Sequence, residues 1–310
     1  MWIITTKIII IKIIRVIIIA SLFSPSDLSR VKFRRLPDVK VFTEPCAIHD
    51  IVMVSPDSLL LSNWTKKSIQ HVDSRTGSTL SEVSTQGLGP WGICMVGREL
   101  AAVAHGGHEK LQLVHVSGAR LTRGTVLCVK ADCWGVAHSG DNVLVSYNNP
   151  PWLEVLSPDG SVLHQFQDPA AQTFQCPDFL TTSSDGFHYV ADFKLYTITK
   201  LDSSLKVLQT FSDPQLEGPF GITSVGDGQL LVCSWSKHSI VHVDVNSGKV
   251  TTILGREDGI VKPKSLAYCP QQRKIFVCTG DETDSIQVYQ WDWVKSEHQQ
   301  KIKHDSLNMK

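Results

Sequence analysis

The chain has 310 residues, and its 30 Lys plus Arg balance 30 Asp plus Glu, so the formal charge is zero. That balance argues against a whole-protein electrostatic drive towards nucleic acid or anionic lipid. With 42% hydrophobic and 19% charged residues the composition excludes a disordered chain, and the absence of any C-x-x-C pair among eight cysteines excludes zinc-finger and RING spacings.

The first predicted element, residues 1–24, is an apolar leader with 11 isoleucines between Met1 and Phe23. It is long enough to span a bilayer, but Lys7, Lys12 and Arg15 interrupt it. Each central charge costs about 2.5–3.5 kcal/mol and each Ile returns only about 0.3–0.6, so insertion is near balance. A membrane anchor, a cleaved signal and a non-native or unstructured leader stay open as readings. Residues 25–37 read as a linker. The alternating stretch VKVFTEP at 39–45 reads as a strand.

From residue 38 to 291 one rhythm repeats. Its anchors are Ile51 (AIHDI), Ile93 (GPWGI), Val136 (CWGV), Phe179 (CPDF), Ile222 (GPFGI) and Leu266 (KPKSL), spaced by 42, 43, 43, 43 and 44 residues. After each anchor comes a turn rich in Gly, Asp or Pro, then an apolar run such as LLLSN, NVLVSY or LLVCSW. A third run alternates, as in SIQHVD, SIVHVD and SIQVYQ, and a further short alternation such as KVLQTF or KVTTIL follows a tight turn. Period-2 runs bounded by Gly, Pro, Asp and Asn predict strands, and no sustained 3.6 periodicity is present. Six units of four short strands predict an all-β, six-bladed β-propeller. The sixth unit lacks its fourth strand, so the 39–45 stretch is expected to supply it and close the ring. Residues 292–310 form a polar tail. The cysteines lie in apolar runs such as KIFVCT and read as free buried thiols.

The pattern of GPxGI, turn, apolar strand, then S-I-x-x-V-D and a turn ending in Gly resembles NHL-type propellers, above all the carboxy-terminal domain of tripartite-motif proteins. The resemblance covers about residues 38–291. In that family the propeller selects protein substrates or RNA for a ubiquitin ligase. No zinc cluster or heptad run precedes residue 40, so ligase activity is not carried over. What the resemblance implies is a monomeric, cytoplasmic, non-catalytic module. It would bind a protein or peptide on one face, with single-stranded RNA as an alternative and with membrane contact only through residues 1–24.

Candidate ligand-face residues follow from register. Trp91, Trp134 and Phe220 share the position two before the anchor and could ring the channel mouth. Asp50 and Asp178 each precede an anchor three units apart, and so face each other across a six-fold ring. A carboxylate pair of that kind could hold a cation, as in calcium-dependent propeller hydrolases resembling paraoxonase or gluconolactonase. The equivalent Gly92, Gly135, Gly221 and Ser265 offer too few ligands for that enzyme, so neither a metal, a cofactor nor a catalytic residue is assigned. Lys67, Lys237 and His238 precede third strands and are the basic candidates for RNA; Leu195, Tyr196 and Asp284 break the pattern elsewhere. His105-Gly-Gly-His108 reads as a polar loop, and Trp291-Asp292 as a solitary WD pair.

Overall fold

The computed structural model describes residue 28 and residues 31–167, 172–226, 228–280 and 282–293. The leader and most of the polar tail lie outside the described residues. Within them, no helix is long and apolar enough to cross a membrane.

The first strand, β1 (Val31–Lys40), belongs to the last blade. Blade I is β2 (Ile48–Ser55), β3 (Ser58–Asn63), β4 (Ser68–Asp73) and β5 (Thr79–Ser84). Blade II is β6 (Pro90–Met95), β7 (Leu100–His105), β8 (Lys110–Ser117) and β9 (Arg120–Cys128). Blade III is β10 (Cys133–Ser139), β11 (Asn142–Asn148), β12 (Pro151–Leu156) and β13 (Val162–Gln167). Blade IV is β14 (Pro177–Thr182), β15 (His188–Asp192), β16 (Thr197–Leu201) and β17 (Val207–Ser212). Blade V is β18 (Pro219–Gly226), β19 (Gln229–Ser234), β20 (Ser239–Asp244) and β21 (Lys249–Leu254). Blade VI joins β22 (Pro263–Cys269), β23 (Lys274–Thr279) and β24 (Ser285–Trp293) to β1, in the order β1-β24-β23-β22. Each blade is a four-stranded antiparallel sheet, and consecutive inner strands pack around one axis, β22 returning to β2. The predicted six-bladed propeller is the observed fold.

One detail of closure differs. The strand that completes blade VI is Val31–Lys40, paired from Val31 with Trp293 to Lys40 with Ser285. The stretch expected to do so, 39–45, lies mostly beyond it. Val41 and Phe42 instead donate backbone N–H to Asp284 O and are buried in the cluster between blades VI and I. The alternation VKVFTEP belongs to a seam between blades. The closing strand is hard to read from its pattern because its outer edge carries the solvent-facing Arg34, Arg35 and Asp38.

Burial grades outwards through a blade. Second strands are buried on both faces, as in SLLLSN of β3 and QLLVCS of β19, because each is flanked by two neighbouring blades. The outer TLSEVS of β5 alternates exposed and half-buried. Six apolar clusters fill the spaces between blades, for instance Leu60, Ile69, Ile93, Val103 and Val114 between blades I and II.

Every inner pair carries the same irregularity. Register shifts occur at Ile48/Asp50, Pro90/Ile93, Cys133/Val136, Pro177/Phe179, Pro219/Ile222 and Pro263/Ser265, always just before the anchor. Such bulges bend a strand and re-aim its side chains. Three of the bulge residues are glycines for a steric reason. A Cβ on Gly92 would lie 2.7 Å from Trp134 O, one on Gly135 2.7 Å from Asp178 O, and one on Gly221 2.6 Å from Ser265 Cα.

Candidate functional site

The six inner strands enclose a channel of about 230 Å³. The anchors Ile51, Ile93, Val136, Phe179, Ile222 and Leu266 form its apolar waist. Two residues further along each strand come Met53, Met95, His138, Thr181, Ser224 and Tyr268, a mostly polar ring at one end. Asp50 marks the other end, three residues earlier, which is about 10 Å away at about 3.3 Å per residue.

Asp50 is held by three donors. Its Oδ1 accepts Ile51 N at 2.9 Å and Ser265 Oγ at 2.6 Å, and its Oδ2 accepts Ile93 N at 2.9 Å. One carboxylate therefore links blades VI, I and II. Burial in the channel pushes the carboxyl up to about 6, against the downward pull of those donors. Asp178 is raised to about 6 by burial as well, but it does not face Asp50. Its Oδ1 accepts Asn148 Nδ2 at 2.5 Å and its Oδ2 accepts the Cys176 thiol at 3.5 Å, and it is absent from the channel lining. The expected carboxylate pair across the channel is not formed. Asp178 is instead engaged by Asn148 of blade III and by Cys176, at the boundary of blades III and IV. Among the described residues no group of three or more His, Cys, Asp or Glu could hold a metal ion.

The aromatic position before the anchors behaves as a cap. Trp91 stacks on His49 at 4.0 Å between ring centroids, meets Trp134 edge-on at 4.7 Å and lies 6.0 Å from Trp64. It also packs against the cluster that contains Phe179 and Ile222, so it reaches from blade II across the mouth to blades IV and V. Phe220 sits among Phe179, Phe193 and Trp235 at 5.1–6.2 Å. The three residues grouped by register thus fall into two contiguous aromatic sets over one end of the channel.

The basic candidates lie on the turns at that same end. Lys67, Tyr196 and His238 occupy one equivalent turn position with φ of 52°, 59° and 57°. Lys67 Nζ lies 3.8 Å over the Trp64 ring, Lys237 pairs with Glu217 at 2.6 Å, and His238 Nδ1 accepts Lys262 N. Each is engaged locally rather than gathered into one strip. Of the histidine pair, His105 is buried against Gln112 and pushed down to about 4 by that burial. All eight cysteines are free thiols.

Sequence reasoning missed Ser139, Thr182 and His188, which converge at the far end of the channel between blades III and IV. Only the ring register could have flagged Thr182; nothing in the local sequence links residues 49 apart.

No family model matches the chain, and no curated protein matches it. Solved structures do. A streptogramin B lyase has 10% identity and a TM-score of 0.59, over 86% of this chain and 99% of that one. A catalytically inactive histidine-to-alanine virginiamycin B lyase from Staphylococcus aureus, with quinupristin, has 14% identity and a TM-score of 0.60, over 84% and 99%. A protein of unknown function from Bacteroides caccae has 15% identity and a TM-score of 0.56, over 73% and 83%. At these identities the likeness establishes the fold. It also corrects the expectation of a non-catalytic recognition module that is not an enzyme: propellers matched over almost their whole length are named as lyases. The NHL-like repeat pattern reports blade architecture, which lyases and recognition modules share.

Proposed function

We propose that the chain is an enzyme of the lyase type, acting on a small ester or lactone inside the central channel. The observation that carries this reading is Asp50, a carboxylate held in a narrow, apolar-waisted channel with its pKa near 6. A base tuned to that range is suited to proton abstraction near neutral pH. The carboxylate takes a proton from the carbon α to a carbonyl, the electron pair forms a C=C bond to the β carbon, and the bond from that β carbon to the ester oxygen breaks, so that the acyl group leaves as a carboxylate. His138, Thr181, Ser224 and Tyr268, about 10 Å away, offer hydrogen bonds to the substrate's polar end. The channel of about 230 Å³ is smaller than the roughly 300–1,000 Å³ of pockets for drug-sized ligands, which sets the substrate size. The names of the structural neighbours support the reaction class. Eight free thiols suit a reducing compartment, so the proposed location is the cytoplasm. Kinship to NHL-type propellers is kept as a proposal on the repeat pattern alone.

The test is incubation of the purified chain with a panel of small esters and lactones, followed by mass spectrometry. Elimination opens a lactone with no change of mass, whereas hydrolysis adds one water. Conversion by the wild type and its loss in Asp50→Asn are expected. Equal conversion by both proteins, or none by the wild type, would overturn the assignment.

A further inference from the structure

At the far end of blades III and IV, a chain of hydrogen bonds has a direction that the chemistry fixes. Thr182 Oγ1 lies 2.5 Å from the His138 carbonyl oxygen, which can only accept, so the single hydroxyl proton of Thr182 points there. Thr182 Oγ1 also lies 2.9 Å from His188 Nδ1 and must therefore accept from it. His188 then carries its proton on Nδ1 and presents a lone pair at Nε2. Ser139 Oγ lies 3.4 Å from that nitrogen and is the donor of the pair. His188 is 1% exposed and Thr182 9%, so the base and its orienting group are held in place, while Ser139 keeps part of its surface. Ser139 ends β10, and the next residue, Gly140, has a positive φ of 60° and opens the turn into β11.

We infer that Ser139 is a nucleophile, His188 its general base and Thr182 the residue that positions the imidazole, forming a second site that takes small activated esters. In the acylation step the Ser139 proton passes to His188 Nε2 as Oγ bonds to the acyl carbon. The bond to the alcohol oxygen breaks, and that oxygen takes the proton from Nε2. Water, activated by the same nitrogen, then releases the acid and restores the serine. Burial and the nearby His138 push His188 down to about 4. The base is thus neutral at physiological pH but weak, which is why an aryl or otherwise activated leaving group is required. This site does not rest on the Asp50 reading.

The experiment is labelling of the full chain with a fluorophosphonate probe and peptide mapping of the adduct. Label on Ser139 is expected, absent in Ser139→Ala and slowed roughly 10²-fold or more in His188→Gln, the usual contribution of a positioned base. Thr182→Val slows labelling and Thr182→Ser restores it, a rescue that a packing role would not show, since Ser keeps the hydroxyl and loses the methyl. Thermal melts accompany each variant, and Asp50→Asn labels normally. Absence of label from Ser139 in the wild type overturns the inference. So does an undiminished rate in Thr182→Val, or in a His188→Gln protein with a wild-type melt.

Discussion

At the scale of single residues, Asp50 joins stability to the site it lines. Its folded pKa is raised from 3.8 to about 6 by burial. A carboxyl raised in this way stabilises the fold when protonated. Its contribution is complete below about pH 4 and is lost as pH rises through about 6. At about 1.4 kcal/mol per pKa unit the loss is at most about 3 kcal/mol. Asp178 acts in the same direction. Replacing Asp50 by Asn removes its share, so thermal melts between pH 4 and pH 7 should show a flatter decline in Asp50→Asn than in the wild type. Parallel curves would mean that the Asp50 carboxyl titrates normally. The sequence could place Asp50 and Asp178 in register but could not orient them. Asp178 answers to Asn148, a residue 30 positions away on another blade, and no spacing rule reaches that contact.

At the scale of strands, the bulge before each anchor decides what the inner strand can carry. Gly92, Gly135 and Gly221 let adjacent strands meet at backbone distance, while Asp50 fills the same position with a side chain that accepts Ile93 N from the next blade. Gly135→Ala should therefore cost about 1–3 kcal/mol, the usual penalty of overpacking, because its Cβ would press on Asp178 O and on Ser146 Oγ, both at 2.7 Å. Gly97 is a useful control. A Cβ there meets nothing within 4 Å, but its φ is 73°, so Gly97→Ala carries only backbone strain, about 1–2 kcal/mol. Chemical denaturation of both variants measures the two losses, and a Gly135→Ala protein as stable as the wild type would refute the steric account. The spacing of 42 to 44 residues makes these positions legible in the sequence itself, since GPWGI and GPFGI align on Ile93 and Ile222. Their shared glycine serves contact between blades. The aromatic two before the anchor caps the channel. That the Trp91 indole crosses to blades IV and V is not legible in the sequence, because a repeat gives the place of a side chain and not its rotamer.

At the scale of the whole molecule, stability depends on closing a ring whose last blade is made from both ends of the described chain. β1 pairs with β24 over most of its length, and Arg34 donates to Gln290 across the pair. Leu28 is fully buried in the cluster that holds Leu266, Ile275 and Tyr289, so the anchoring extends upstream of the strand itself. A second latch lies on the axis, where Ser265 of blade VI donates to Asp50 of blade I. The two latches are of different kinds: one pairs whole strands at the rim, the other joins two side chains at the hub. A chain beginning at residue 28 keeps both and should melt as the full-length protein does. A chain beginning at residue 41 loses β1 and leaves β24 with an unpaired edge and an uncovered apolar face. Because neighbouring blades bury each other's faces, that loss should not stay local. The expected result is a lower melting temperature for the entire ring, seen as one shifted transition in circular dichroism, with self-association through the bared edge. A separate early transition ahead of an unshifted main one would show instead that blade VI unfolds alone and that the ring holds without its closing strand.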